Sequence, residues 1–191
     1  SLDLSSFYFD IRKDTLYCDD INSKKRKDCI VVLNIILDCL LRWMAPIFVF
    51  TTEEIYNLIN QDENSIHELN FIEIPNSWND AKLSDKWKSL YKIKQEVNLA
   101  IEEMRTNKEV GSSLEVELEI FINKKEFDML NGLDLAEYFI TSKAKKTQNI
   151  NNDDQMKIVV KKSTGTKCQR CWKILDGECS RCNQILKGFK S

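Results

Sequence analysis

Residues 23–46 read SKKRKDCIVVLNIILDCLLRWMAP and contain the longest apolar run of the chain. Apolar side chains recur every three or four positions from Ile30 to Met44, which is the spacing of one helix face. Further apolar residues lie between them, so we expect a helix that is apolar nearly all round and packs inside a bundle. Ser23 is the expected N-cap, and Pro46 must end or kink the helix.

Helical patterns continue downstream. Thr51 or Thr52 is expected to cap a short helix. Residues 60–76 predict a loop with a short extended piece, and the only histidine, His67, is expected at its surface. A second long helix is expected over about 80–108, where apolar residues again recur at spacings of three, four and seven.

Beyond this helix the period of the sequence changes towards two. From Leu114 to Ile122 apolar residues alternate with charged ones, as in a half-buried strand. Leu135–Ile140 and Met156–Val160 are expected to be further strands. The Lys- and Asn-rich segment 142–155 between them is expected to be a mobile loop.

The composition excludes several protein classes. The chain has 191 residues, of which 42% are hydrophobic and 30% charged, with only 5 Gly and 2 Pro. Such a mix is not collagen-like, mucin-like or wholly disordered. The longest apolar run is interrupted by Asn34 and Asp38 and is too short to span a bilayer. The start, Ser1-Leu2-Asp3, resembles no signal peptide and lacks an initiating Met, so we expect an excised piece of a cytoplasmic protein.

Charge is divided unevenly along the chain. The net charge is −2, yet residues 157–191 contain nine Lys or Arg against Asp176 and Glu178, which gives +7 and leaves −9 for the remainder. A basic end on an acidic body suits contact with a polyanion. The alternative is that these basic residues are only solvated.

Four of the seven cysteines form a metal-site pattern. Cys168 and Cys171 form one Cys-x-x-Cys pair, and Cys179 and Cys182 form a second pair after seven residues. Two such pairs supply four thiolates, which close a tetrahedral shell and leave no position for water. The pattern therefore predicts one structural zinc ion, and metal binding must largely fold so short a segment.

Other readings of the cysteines stay open. A mononuclear iron site would use the same ligands, disulfides would need an oxidising compartment, and a redox Cys-x-x-Cys would explain only one pair. Cys18, Cys29 and Cys39 stand apart, and we expect them to pack as small hydrophobic residues.

Basic and aromatic residues surround the cysteines. Trp172, beside Arg170, Lys167 and Lys173, could stack on an unpaired base while the cations meet phosphate. Equally, Trp172 could cover the small metal core. No Gly-rich phosphate loop is present, and no catalytic triad can be assembled around His67, so the residues indicate a binding module.

Four motifs together resemble one family. They are FYFDIRKDTLYC at 7–18, LRWMAPIFVFTTEEIY at 41–56, GSSLE at 111–115 and KCQRCW at 167–172. In this order they are similar to the C-terminal region of bacterial-type isoleucyl-tRNA synthetases, which are class I aminoacyl-tRNA synthetases. The second motif is shared with the valine, leucine and methionine enzymes, whereas the first and last point to the isoleucine group.

The resemblance implies an α+β protein in three parts. These are a helical bundle of the anticodon-binding type over 1–78, a long helix and small α+β junction with short antiparallel strands over 79–162, and a four-cysteine zinc module over 163–191. It implies that the zinc module lies against the anticodon loop of an isoleucine tRNA. The residues expected to contact that tRNA are Arg170, Trp172, Lys167, Lys173, Arg181, Lys24, Lys25 and Arg42. For Arg42, a structural role at the helix end is the stronger alternative.

The resemblance also implies a larger parent enzyme that joins isoleucine to its tRNA with ATP. The ATP-site motifs His-Ile-Gly-His and Lys-Met-Ser-Lys-Ser do not occur in this chain, nor does an editing domain. ATP and Mg²⁺ would therefore bind only in the rest of that enzyme, and this chain alone should be inactive. We expect a monomer without membrane contact, and a freestanding zinc-ribbon protein that mediates protein contacts is the alternative.

Overall fold

The computed structural model describes residues 2–60, 64–149 and 156–188. The chain divides into two compact units, one of residues 21–80 and one that joins residues 1–20 to residues 81–191. This division differs from the expected boundaries at 78 and 162, because the first helical segment packs with the later part of the chain.

The smaller unit, residues 21–80, is helical. It contains α2 (Lys24–Met44), α3 (Val49–Ile59) and short 3₁₀ turns at Ile66–Glu68 and Asn76–Trp78. Ser23 caps α2 as expected, since its hydroxyl accepts a hydrogen bond from the backbone N–H of Arg26. His67 is exposed, also as expected.

The expected cap of the next helix was wrong. Helix α3 begins at Val49 after Phe48, which makes no side-chain cap. Thr52 lies inside the helix instead and is buried, and its hydroxyl donates to the carbonyl of Phe48 at 2.9 Å. A threonine can bond back to the preceding turn, so its presence alone does not mark a helix start.

The core of this unit is small. It consists of Leu41, Ala45, Tyr56 and Ile66, with Ile55 and Leu69 packed against them. Many large apolar side chains of α2 and α3 stay exposed, namely Val31, Val32, Leu37, Leu40, Trp43, Val49, Phe50, Leu58 and Ile59. Both helices of the smaller unit therefore leave large apolar side chains open to solvent.

The larger unit, formed by residues 1–20 and 81–191, is α+β. Its helices are a π-type segment (Leu2–Phe9), α1 (Asp10–Cys18), α4 (Ala81–Thr106), α5 (Lys124–Met129), α6 (Leu135–Tyr138) and α7 (Ser180–Gly188). Its strands are β1 (Val116–Ile122), β2 (Lys143–Gln148), β3 (Lys157–Lys162), β4 (Thr166–Lys167) and β5 (Ile174–Leu175).

Strand β1 is the centre of a three-stranded sheet. It pairs in parallel with β2 and antiparallel with β3, so only part of the sheet has the antiparallel arrangement that was expected. The predicted alternation in β1 is confirmed, because Val116, Leu118, Ile120 and Ile122 are fully buried and the residues between them are not. The buried side chains pack with Leu90, Val97 and Ile101 of α4 to form the main core.

Two further expectations were wrong. The segment expected as a strand at 135–140 contains helix α6 (Leu135–Tyr138) followed by a turn, because the side chain of Asp134 caps the helix by accepting from the N–H of Glu137 at 3.1 Å. Residues 143–148 form β2 rather than a mobile loop, since the buried strand β1 offers its open edge to their backbone. The rest of that expected loop, 150–155, lies outside the described residues. The strand expected at 156–160 is confirmed as β3.

Within the described ranges, none of the helices combines the length and hydropathy that a transmembrane segment needs.

Candidate metal centre and nucleic-acid interface

The four predicted cysteine ligands come together at one point. Strands β4 and β5 pair antiparallel, and the turn between them carries Cys168 and Cys171. Cys179 and Cys182 lie at the start of α7. All four sulfur atoms lie within 4.8 Å of one another, and the Cys171 and Cys179 sulfurs are 3.9 Å apart. No disulfide joins any of the seven cysteines.

This arrangement fits a single tetrahedral metal ion. With metal–sulfur bonds of about 2.3 Å, a tetrahedral shell places its sulfurs roughly 3.8 Å apart, close to the distance between Cys171 and Cys179. The four side chains are buried or half-buried, so an ion between them would be shielded from water. A shell completed by four thiolates has no position for a substrate, and the site is therefore suited to a structural role.

Backbone hydrogen bonds favour the ionised form of one of the four thiols, that of Cys168. Burial opposes ionisation of Cys168, but hydrogen bonds from the backbone N–H groups of Cys171 and Arg170 outweigh it and lower its pKa to about 7. Burial raises the pKa of Cys171, and burial with the neighbouring sulfurs raises the pKa of Cys182 to about 12. Four thiolates so close together would need a cation among them.

A glycine sets the close approach of the two short strands. Gly165 has a φ of +127°, and a Cβ at this position would collide with the backbone carbonyl of Leu175. A side chain would therefore force β4 and β5 apart. The first cysteine pair lies in the turn that these strands hold.

Each cysteine pair also carries an arginine that reaches helix α1. Arg170 and Arg181 occupy the same position, the third, of the two Cys-x-x-Cys sequences. Arg170 donates to the backbone carbonyls of Cys18 at 2.6 Å and Tyr17 at 3.0 Å. These carbonyls lie at the C-terminal end of α1, where the helix itself provides no N–H partner. Both guanidinium groups therefore hold the metal loops against the N-terminal segment.

The second arginine bonds to carboxylates. Arg181 donates two hydrogen bonds to Asp14, at 2.7 and 2.8 Å, and a third to Asp19 at 2.9 Å. Burial opposes the charge on Asp14, but the bonds from Arg181 outweigh it and lower the pKa of this carboxyl. The hydrogen bonds that Asp14 accepts raise the pKa of Arg181 in turn.

Cys18 lies against this metal-binding group but is not one of the four candidate ligands. It is buried, as predicted, and its thiol donates to the carbonyl of Arg170 at 3.7 Å. Burial, together with the charge of Asp14, raises its pKa to about 11, so it stays a neutral thiol. Cys29 and Cys39 are buried in the smaller unit, again as predicted.

The structure separates the expected RNA contacts into two kinds. Trp172 is 61% exposed, and the side chain of Lys167 is half-exposed, with its ammonium nitrogen 3.7 Å from Glu115. Lys173, in contrast, is largely buried and 3.9 Å from Asp14. Arg170 and Arg181 are held as described above, so Trp172 and Lys167 are the residues of this group that face solvent.

The other three expected contacts lie in the smaller unit. Lys24 pairs with Asp28 at 2.6 Å, and Lys25 is exposed on the same turn of α2. Arg42 bonds to Asp38 at 2.9 Å and to the carbonyl of Asn70 at 2.8 Å. These bonds fit the structural alternative that the sequence offered for Arg42.

Sequence reasoning missed the residues of α1 that face the cysteines. Asp14, Tyr17 and Asp19 lie about 150 residues before their partners, and no spacing in the sequence links them. The one available signal was that both cysteine pairs have the form Cys-x-Arg-Cys. Two half-buried arginines so placed favour carboxylate or carbonyl partners within the protein.

Comparison with known proteins identifies the family. A model of the anticodon-binding domain of tRNA ligases matches residues 1–120. The chain belongs to this family of anticodon-binding domains. The domain includes α1, so the metal loops pack directly on a helix of the matched region.

Individual relatives of this anticodon-binding domain are isoleucine–tRNA ligases. That of Pelagibacter ubique is 50% identical over 181 residues, which are 95% of this chain and 20% of the relative. Those of Gluconobacter oxydans and Agrobacterium fabrum are 34% and 39% identical, over 96% and 91% of this chain and 20% and 19% of the relatives. The chain thus spans about a fifth of the length of the curated relatives it matches.

Proposed function

We propose that this chain is the tRNA-binding part of an isoleucine–tRNA ligase and that it recognises the anticodon loop of an isoleucine tRNA. The match to the anticodon-binding domain over residues 1–120 carries this proposal. Similarity to isoleucine–tRNA ligases beyond residue 120, through the cysteine loops, supports the choice of amino acid. The chain contributes recognition, while the ligation with ATP and Mg²⁺ belongs to the remainder of the ligase.

We further propose that the four cysteines hold one zinc ion. Their sulfur spacing and the burial of the group support zinc, which prefers four thiolates in structural sites. Cys168, Cys171, Cys179 and Cys182 would hold the ion, which would supply the positive charge that keeps four thiolates together and would have no catalytic role. Arg170 and Arg181 then fix the position of the cysteine loops on α1 through their hydrogen bonds to Cys18 and Asp14.

Contact with the anticodon loop is assigned chiefly to Trp172. An exposed indole can stack on an unpaired base, and Lys167 supplies a neighbouring positive charge for phosphate. Arg170, Arg181 and Lys173 act in this proposal by positioning the loops. Lys24 and Lys25 stay candidate contacts to the tRNA backbone.

The rest of the ligase is the proposed partner of the smaller unit. Its exposed apolar residues on α2 and α3 support an intramolecular partner that covers them. A monomeric state and a cytoplasmic location stay predictions.

Binding of isoleucine tRNA to variants of this chain tests the proposal. Trp172→Ala that retains its metal should weaken binding at low and high salt alike, by about 1–3 kcal/mol, because stacking releases few ions. Lys187→Ala, on the exposed end of α7, should instead flatten the salt dependence and leave selectivity between tRNAs unchanged. Equal affinity of the chain for isoleucine tRNA and an unrelated tRNA would contradict anticodon recognition.

Catalysis and metal content provide two further readouts. The chain alone should show no isoleucine-dependent exchange of pyrophosphate into ATP, whereas the full-length ligase should. Freshly prepared, unchelated protein should contain one zinc per chain by metal analysis. Iron in its place would favour the mononuclear iron alternative.

A further inference from the structure

A groove lies beside the cysteine loops, entirely within the larger unit. It has a volume of about 550 Å³ and is bounded by α1, by α6 and by the turn after Cys171. Its apolar lining comes from Ile11, Leu114, Ala136 and Ile140. Two aromatic residues, Tyr17 and Trp172, also line it.

Both aromatic side chains are unusually open to solvent. Tyr17 is 75% exposed and Trp172 is 61% exposed. Rings of this size are normally buried, because each one covers much apolar area when it packs. Two exposed rings on one apolar groove therefore indicate a surface that is completed by another molecule.

Two backbone positions at the groove carry strain. Trp172 has a φ of +63° and Ile140 a φ of +57°, and a left-handed conformation is unfavourable for such bulky residues. Glycine would adopt either conformation without this cost. Of the three non-glycine residues with positive φ among those described, two thus line the same groove, as strained residues do at binding sites.

The acidic and basic residues that line the groove balance one another, so the groove does not repel a polyanion. Its acidic residues are already paired, since Lys13 lies 2.8 Å from Asp10 and Arg181 bonds to Asp14. Glu137 is paired likewise, with Arg12 at 3.0 Å. Lys167 ends strand β4, directly before the turn that holds the first cysteine pair.

From these observations we propose that the groove binds one unstacked nucleobase of single-stranded RNA, and that Tyr17 is a second aromatic contact beside Trp172. A planar base matches an apolar groove edged by rings, and the phosphate of that nucleotide would meet the half-exposed Lys167. The inference rests on the proposed function, because it takes the RNA to be an anticodon loop. It adds a residue of α1, and the groove itself, to the contact with RNA.

The test uses the full-length ligase and an RNA stem-loop with the anticodon arm of an isoleucine tRNA. Tyr17→Ala removes the ring and leaves the backbone carbonyl that Arg170 bonds. It should raise the Kd about 5- to 150-fold, the range expected for loss of one stacked base. Tyr17→Phe should bind like the wild type, as should Leu99→Ala, an exposed apolar residue of α4 outside the groove.

An abasic scan of the loop identifies the base. Removing that base should weaken wild-type binding by the same factor, but should have little further effect on Tyr17→Ala. Additive losses at every loop position would overturn the groove proposal. Unchanged RNA binding by Tyr17→Ala would also overturn the groove proposal. If Trp172→Ala still bound RNA more weakly in that case, the proposed contact between the cysteine loops and the anticodon loop would stand.

Trp172→Gly separates binding from folding. Glycine relieves the left-handed strain, so the variant should keep its metal and melt at the same or a higher temperature, yet bind the stem-loop more weakly. A lower melting temperature with unchanged affinity would mean that Trp172 only covers the metal group, which would overturn the proposal. If Tyr17→Ala and Trp172→Gly both kept the melting temperature and the RNA affinity of the wild type, this face would not contact RNA at all.

Discussion

Arg181 and Asp14 form a two-point hydrogen-bonded ion pair, at 2.7 and 2.8 Å, across 167 residues of sequence. The arginine lies between two candidate metal ligands, whereas the aspartate lies on a helix of the matched anticodon-binding domain. The pair therefore connects the cysteine loops to the region that matches the anticodon-binding domain. Arg170 makes the same connection from the other cysteine pair through backbone carbonyls.

Arg181→Ala should destabilise the larger unit by about 1–3 kcal/mol, because charged hydrogen bonds are lost and Asp14 is left without its main partner. Chemical unfolding of the metal-loaded protein measures the loss. Lys187→Ala removes an exposed basic residue of the same helix and should leave stability unchanged within about 0.5 kcal/mol. Equal stability of the two variants would show that the ion pair contributes nothing.

Metal binding should release protons. At pH 7.5 the raised pKa values of Cys171 and Cys182 keep both thiols protonated in the metal-free protein, while Cys168 is mostly ionised. Zinc binding should therefore displace at least two protons, and its affinity should fall as the pH is lowered. Calorimetry in buffers of different ionisation enthalpy counts these protons. Cys39→Ser, which alters a cysteine of the smaller unit, should give the same count, and release of fewer than two would contradict four-thiolate binding.

Lys94 should make stability depend on pH. It is buried, donates to the carbonyl of Tyr138 at 2.7 Å, and burial lowers its pKa from 10.5 to about 8. Between pH 8 and 10.5 the unfolded chain binds a proton at Lys94 that the folded chain has lost, so stability should rise with pH across this window. The gain relative to Lys94→Met should approach about 3 kcal/mol.

Urea unfolding of both metal-loaded proteins at several pH values measures this difference. The comparison with Lys94→Met removes contributions from cysteines and tyrosines, which both proteins share. Parallel stability curves for the two proteins would show that Lys94 titrates normally in the folded state.

Gly165→Ala should weaken metal binding. The new Cβ would meet the carbonyl of Leu175, and the φ of +127° is unfavourable for alanine, so β4 and β5 could not pair as they do. Competition with a chelator should show a lower zinc affinity, and the melting temperature should fall. Gly111→Ala is the matched control, since its Cβ would make only ordinary contact with Glu115. Normal zinc affinity in Gly165→Ala would mean that the hairpin is not needed for the site.

The elements that the sequence predicted correctly have signals within a short stretch of chain. The strand β1 follows from strict alternation between Leu114 and Ile122, and α2 follows from its apolar periodicity and from Ser23. The strand β2 had no such signal, because Lys143–Gln148 is nearly all polar and becomes a strand only beside β1. The segment that contains helix α6 was mistaken for a strand because a helix of four residues is too short to display a period.

By itself, the sequence determined the four candidate metal ligands, because the spacing within a Cys-x-x-Cys pair brings its two sulfurs together. It also indicated a binding module, because no catalytic motif occurs in it. Tertiary structure alone decided what surrounds the four ligands. It placed α1 against the cysteine loops, turned Arg170, Lys173 and Arg181 towards partners in the protein, and left Tyr17 and Trp172 exposed on one groove. Contacts between residues 150 positions apart depend on how the whole core packs, and no local pattern records them.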